Sequence, residues 1–121
     1  MSAKAKCSFR LKTGHTLPQA LAIARDLTQK RFYEIGNPEL ANELAELGYP
    51  GDAAMNKALL IALGEVTPEH YRPSAEPHKI PGIPFIWNSD CFERRMYLKF
   101  KILGTKHKPT LWWYSCHEVA F

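Results

Sequence analysis

The residues best suited to chemistry lie in two stretches near the C-terminus. Met96-Tyr97-Leu98-Lys99-Phe100-Lys101-Ile102 alternates apolar and polar side chains. In a strand such alternation sends every second residue to the same face. Met96, Leu98, Phe100 and Ile102 then face a core, and Tyr97, Lys99 and Lys101 share the opposite face. A phenol and two ammonium groups on one surface suit a phosphodiester backbone. The same pattern also describes a solvated outer face carrying an incidental tyrosine. In Trp113-Tyr114-Ser115-Cys116-His117 strict alternation groups Trp113, Ser115 and His117. Hairpin pairing with the preceding strand would bring His117 near Tyr97. Histidine ionises close to neutrality and serves readily as a general acid or base, although a lone histidine near a chain end is more often a surface residue. Arg72, after His70 and Tyr71, has the forked guanidinium that clamps phosphates.

Other chemistries find no support. His70, His78, His107 and His117 lack metal-ligand spacing and have no accompanying carboxylate cluster, so no metal centre is expected. No glycine-rich phosphate loop or nucleophile elbow appears, and no cofactor is expected. Cys7, Cys91 and Cys116 are widely spaced and odd in number. That is neither a disulfide framework nor a zinc pattern, and it predicts reduced thiols in or near a core.

The elements that must position these residues are legible in outline. Cys7 to Lys12 alternates and suggests a short N-terminal strand. Thr16-Leu17-Pro18-Gln19 is a capping box that opens a helix to about Arg31. Asn37-Pro38 starts a second helix with Leu40, Leu44 and Leu47 on one side, ended by Gly48 and Pro50. Asp52 is placed to cap a third, with Met55, Leu59, Ala62 and Leu63 as its apolar stripe and Gly64 at its close. Thr67-Pro68-Glu69 begins one further turn. Prolines 73, 77, 81 and 84 then mark an extended loop over residues 73–84. Strands follow around Phe85-Ile86-Trp87, from Met96 to Leu103 and from Leu111 to Val119, the last two joined by a basic turn. The order predicts a single α+β domain over residues 1–121, with helices packed on a small antiparallel sheet and residues 1–14 as a strand or extension.

The chain has 121 residues and a net charge of +4, unevenly spread. Lys4, Lys6, Arg10 and Lys12 open the chain without an acid. Arg94, Arg95, Lys99, Lys101, Lys106 and Lys108 likewise lie in an acid-free stretch. Between Glu34 and Glu69 there are seven acids and one base, Lys57. Concentrated basic surface attracts polyanions. No apolar run approaches the roughly 18 residues of a membrane span, no long apolar stretch follows the basic N-terminus, and a cytoplasmic location is expected. No helix-turn-helix argues for a DNA-binding regulator.

In order along the chain, Leu44-Ala45-Glu46-Leu47-Gly48, Met55, His70-Tyr71-Arg72, Ile86-Trp87-Asn88, Met96-Tyr97-Leu98-Lys99 and Ser115-Cys116-His117-Glu118 resemble the MqsR family of bacterial mRNA-interferase toxins. The resemblance covers roughly residues 15–118 and is carried by short blocks. It implies a RelE-like (BECR-type) ribonuclease fold, metal-free cleavage of single-stranded mRNA, a cytoplasmic bacterial setting and a cognate protein antitoxin. Position by position, it implies that Tyr71 matches a family tyrosine and that Arg72 stands where lysine is usual. Asn88 takes the place of a glutamine, Tyr97 matches the strand tyrosine, and His117 replaces a lysine two residues after a serine. The linker before the Tyr-Leu-Lys strand is shorter here.

Metal-free RNA cleavage needs a group to take the 2′ proton, charge to stabilise the phosphorane and a proton for the leaving 5′ oxygen. His117 and Tyr97 are the expected proton-transfer pair. Arg72, supported by Lys99, would stabilise the charge, Asn88 would orient the phosphate or a base, and Lys99 and Lys101 would contact the RNA backbone. Tyr71, Trp87 or Trp113 would contact or stack on RNA bases, although both tryptophans also fit core packing. The competing expectation is a non-catalytic RNA- or partner-binding protein of the same fold.

Overall fold

The structure, a computed structural model, describes residues 10–11, 13–73 and 82–119. Helix α1 (Leu17–Gln29) begins as its capping box predicts. The Thr16 hydroxyl accepts from the Gln19 N–H at 3.3 Å, and Gln19 Oε1 accepts from the Thr16 N–H at 2.9 Å. Helix α2 (Leu40–Glu46) starts later than Asn37-Pro38 suggests. Asn37 instead holds the turn before it: its side-chain oxygen accepts from the Glu39 N–H, and its amide donates to the Tyr114 carbonyl at 2.9 Å. Helix α3 (Asp52–Glu65) is capped by Gly51 at φ +84°, with Asp52 as its first residue and not its cap. Met55, Leu59, Ala62 and Leu63 are buried as the spacing predicts. The single turn is a 3₁₀ segment, Pro68–His70.

Strands β2 (Ile83–Ser89), β3 (Arg94–Gly104) and β4 (Pro109–Glu118) form an antiparallel meander. A two-residue strand β1 (Glu34–Ile35), absent from the sequence expectation, pairs parallel with β4. The sheet is therefore mixed, in the order β1-β4-β3-β2, and not purely antiparallel. Two residues are too few to leave a readable alternation. The expected N-terminal strand falls largely outside the described residues; Arg10 and Leu11, which are described, carry no regular structure. Most of the proline-rich loop, residues 74–81, also lies outside them.

The three helices and one face of the sheet enclose a single core, in which Leu21, Leu44, Leu59, Phe85, Met96, Leu98, Phe100, Leu111 and Trp113 are essentially inaccessible. Two polar anchors tie the layers together. Arg25 of α1 donates to the Leu63 and Val66 carbonyls at the end of α3, satisfying groups that a helix terminus leaves open. Glu65 accepts from Trp87 Nε1 at 2.9 Å, from the Ser89 hydroxyl at 2.6 Å and from the Cys91 N–H at 3.0 Å. Burial pushes the Glu65 carboxyl up, but the hydrogen bonds from Ser89, Trp87 and the backbone outweigh it and hold the group below its ordinary value of 4.5.

Glu65→Ala should cost about 2–3 kcal/mol at neutral pH, because it leaves the Trp87 N–H and the Ser89 hydroxyl without their acceptor. A carboxyl with a lowered folded-state pKa contributes stability above its unfolded value and loses it as the pH falls through the folded one. The gap between parent and variant in urea denaturation should therefore narrow as the pH drops below about 4.5. A gap that is constant with pH would show that the charge of Glu65 is not involved.

Candidate active site

The β3–β4 pairing places Tyr97 directly opposite His117 and Lys99 opposite Ser115. Directly opposed residues share a face, so the phenol and imidazole meet, with ring centroids 5.4 Å apart. On the β2 side, Ile86 stands opposite Tyr97 and Asn88 opposite Arg95. The face opposite the one carrying Met96, Leu98 and Phe100 thus holds Asn88, Arg95, Tyr97, Lys99, Lys101, Ser115 and His117.

The expected grouping of Trp113 with Ser115 and His117 does not hold. The register shifts between Lys99 and Phe100: Ser115 opposes Lys99, and Trp113 opposes Phe100. Tyr114 is the extra residue, a β-bulge. Beyond it the alternation of β4 inverts. Trp113 turns into the core, fully buried, with its ring edge-on to Phe100 at 5.3 Å and its N–H donating to Thr28. Trp87 is also in the core, 3% exposed, its N–H held by Glu65. Neither indole is placed to stack on a base. The tryptophan on the outer face is Trp112, half-buried and opposite Lys101. The Tyr114 ring lies over Gly36, where a Cβ would come within 2.6 Å of it.

The site is less open than the sequence suggests. Tyr97 is 1% exposed and Lys99 is 4% exposed. The lysine stem packs under Gly82, at which a Cβ would meet Lys99 Cε at 2.6 Å. Alternation separates core from outer face, but it carries no information on what covers the outer face. Arg72 is exposed, and its guanidinium folds onto its own segment, donating to the Glu69 and Tyr71 carbonyls at 2.7 and 2.8 Å. Its backbone pairs with Pro84 on the outer edge of β2. Two strand spacings, about 10 Å, separate that edge from β4. The structure therefore brings Tyr97 and His117 together and leaves the Arg72 guanidinium apart. Tyr71, half-buried, bridges to Phe85 and tilts against its ring at 6.0 Å.

Two residues not singled out in the sequence complete the arrangement. Glu43 of α2 reaches the edge of β4, with Oε2 4.0 Å from His117 Nε2. Its Oε1 is buried with no hydrogen-bond partner among the described residues. Burial raises the Glu43 carboxyl above its ordinary value; the neighbouring His117 opposes that, and Glu39 and Glu46 add to it. Nothing in the spacing of residues 43 and 117 reveals this contact. Arg95, exposed, shares the parity of Tyr97, Lys99 and Lys101 on β3, a signal that extending the alternation by one residue would have found.

His117 Nδ1 lies 2.7 Å from the Glu118 carbonyl. A carbonyl only accepts, so Nδ1 carries a proton and neutral His117 presents Nε2 as a bare nitrogen. That nitrogen is on the Glu43 side. At 4.0 Å the carboxylate is not hydrogen-bonded to that nitrogen, but it is close enough to favour an imidazolium through its charge. Among the described residues no group of three or more His, Cys, Asp or Glu could hold a metal ion, and no helix is long and apolar enough to cross a membrane. Of the thiols, Cys116 is buried, its ionisation pushed upward by burial, and Cys91 is exposed. Comparison of the chain with protein-family models, with curated proteins and with solved structures finds no match.

Proposed function

We propose that this chain is a metal-independent endoribonuclease acting on single-stranded mRNA, the toxin of a bacterial toxin–antitoxin pair, with a RelE-like arrangement of helices on its sheet. The observation that carries the proposal is the cluster in which His117, in register with Tyr97, presents Nε2 toward Glu43. In the proposed reaction Nε2 accepts the 2′ proton and the 2′ oxygen attacks the adjacent phosphorus. The bond from phosphorus to the 5′ oxygen breaks, and the imidazolium returns its proton to that oxygen. Ionised Glu43 stabilises the imidazolium. Arg95 and Asn88, exposed on the same face, are the groups available to the phosphate. Tyr97 is a positioning residue that supports the imidazole. Lys101 and Trp112 extend the face along β3 and β4 for RNA contact.

The test is incubation of the protein with a long single-stranded RNA in EDTA. Cleavage to products ending in 2′,3′-cyclic phosphate is the expected result. RNA that stays intact from about pH 5 to pH 9 rejects the nuclease assignment. The burial of Tyr97 and Lys99 favours a second reading, a non-catalytic RNA- or partner-binding protein; RNA retained but uncut is its signature. Growth arrest on expression, relieved by a co-expressed protein partner, is the outcome specific to a toxin in the cytoplasm.

A further inference from the structure

At the other end of β3, about 13 Å along the strand from Tyr97, lies a cavity of about 740 Å³. It opens between the segment preceding α1 and the ends of β2 and β3. Its polar lining is basic: Arg10, His15, Lys101 and Lys106 contribute to it, and none of the described lining residues is acidic. Its apolar lining includes Tyr71 and Ile83. An apolar hollow of several hundred Å³ with a few convergent polar groups is the usual form of a small-molecule site. Among the described lining residues every side chain with a fixed charge is positive, which favours a ligand that brings negative charge.

Two details sharpen the class of ligand. The Arg10 guanidinium is held by one bond to the Gly14 carbonyl, which orients it and leaves its other N–H groups for an acceptor. His15 is 6% exposed; its Nδ1 meets the Thr13 hydroxyl at 3.0 Å, and its Nε2 is buried with no hydrogen-bond partner among the described residues. A buried polar nitrogen left open is costly, and His15 lines the cavity in which a ligand oxygen would sit. A phosphate would pair with the Arg10 and Lys101 cations, and a planar heterocycle fits the aromatic and aliphatic wall beside Tyr71. We propose that this cavity binds a nucleoside monophosphate, phosphate toward Arg10, His15 and Lys101 and base against Tyr71 and Ile83. The assignment does not depend on RNA cleavage: none of the cavity residues is His117 or Glu43.

Calorimetric titration of the full chain with each of the four 5′-nucleoside monophosphates, with inorganic phosphate and with a short RNA tests it. At least one nucleotide should bind with a Kd below about 1 mM, more weakly at high salt. Lys101→Ala and Arg10→Ala should each weaken that binding roughly tenfold, and His117→Ala should leave it unchanged even if it abolishes cleavage. Displacement of the nucleotide by the RNA would identify the natural source as a nucleotide unit of an RNA chain, and its absence as the free nucleotide. Inorganic phosphate binding as tightly as every nucleotide overturns the proposal, and so does the absence of binding by all four. His15→Gln keeps a polar side chain at the wall. An unchanged affinity in that variant, together with unchanged affinity in Lys101→Ala, likewise rejects the site.

Discussion

Replacing His117 with alanine is expected to slow RNA cleavage by about 10²–10⁴-fold, the contribution of a positioned general base, while moving thermal stability by less than about 1 kcal/mol. The small structural cost follows from the setting. The His117 and Glu43 side chains are 26% and 29% exposed and 4.0 Å apart, so their attraction is partly screened. Equal losses of activity and stability in His117→Ala would make the imidazole a structural element. Glu43→Gln provides the companion measurement. Burial raises the Glu43 carboxyl, with His117 opposing, and Glu39 and Glu46 on the same helix reinforcing the shift. As the pH falls, the group therefore takes up its proton above the ordinary carboxylate range and ceases to stabilise the imidazolium. Cleavage by the parent protein should show an acid limb displaced upward in pH, and Glu43→Gln should lack that limb and run about tenfold slower at its plateau. Identical pH profiles for the two proteins would remove Glu43 from the mechanism.

The largest stability effect is expected at Trp113. Its side chain is fully buried, edge-on to Phe100, with its N–H on Thr28 of α1. Trp113→Ala should cost about 3–5 kcal/mol, combining lost apolar transfer with an unfilled cavity. That is a large fraction of the 5–15 kcal/mol typical of a domain, so the urea midpoint should fall sharply or the chain should fail to fold. Trp113→Phe keeps most of the volume and should lose less than half as much. A Trp113→Ala variant with unchanged stability and lost RNA binding would return the indole to the surface role that simple alternation suggests. The parallel substitution at Trp112, half-buried on the outer face, should reverse the pattern, costing little stability and weakening RNA binding.

These contrasts show where the sequence was readable. Local rules worked where the cause is local. Thr16 and Gln19 signal the start of α1 because each satisfies the other's backbone N–H. The uninterrupted alternation of β3 places Met96, Leu98, Phe100 and Ile102 in the core, all buried. The pairing of Tyr97 with His117 followed from joining two strands by a short turn. What failed was non-local. Strand β1 exists because β4 offers it an edge, and two residues leave no pattern of their own. The contact of Glu43 with His117 spans 74 positions and depends on where α2 comes to rest. The burial of Lys99 depends on Gly82 lying over its stem, a contact no alternation encodes, and the retraction of Arg72 on carbonyls that only the turned backbone presents. The placement of Trp113 failed for a different reason: one inserted residue breaks a period-two argument for everything beyond it.

That insertion makes β4 a strand with two reading phases. Upstream of Tyr114 the odd positions 111 and 113 point inward; downstream the even position 116 does, and 115 and 117 are released outward. With residue 114 kept but the bulge ironed out into regular pairing, strict alternation would put 113 and 117 on the same face and force a choice. Either the indole keeps its place and the imidazole is driven into the interior, or the imidazole stays outside and the largest buried ring is expelled. One amino acid thus lets a ten-residue ribbon send the indole at 113 inward and the imidazole at 117 outward.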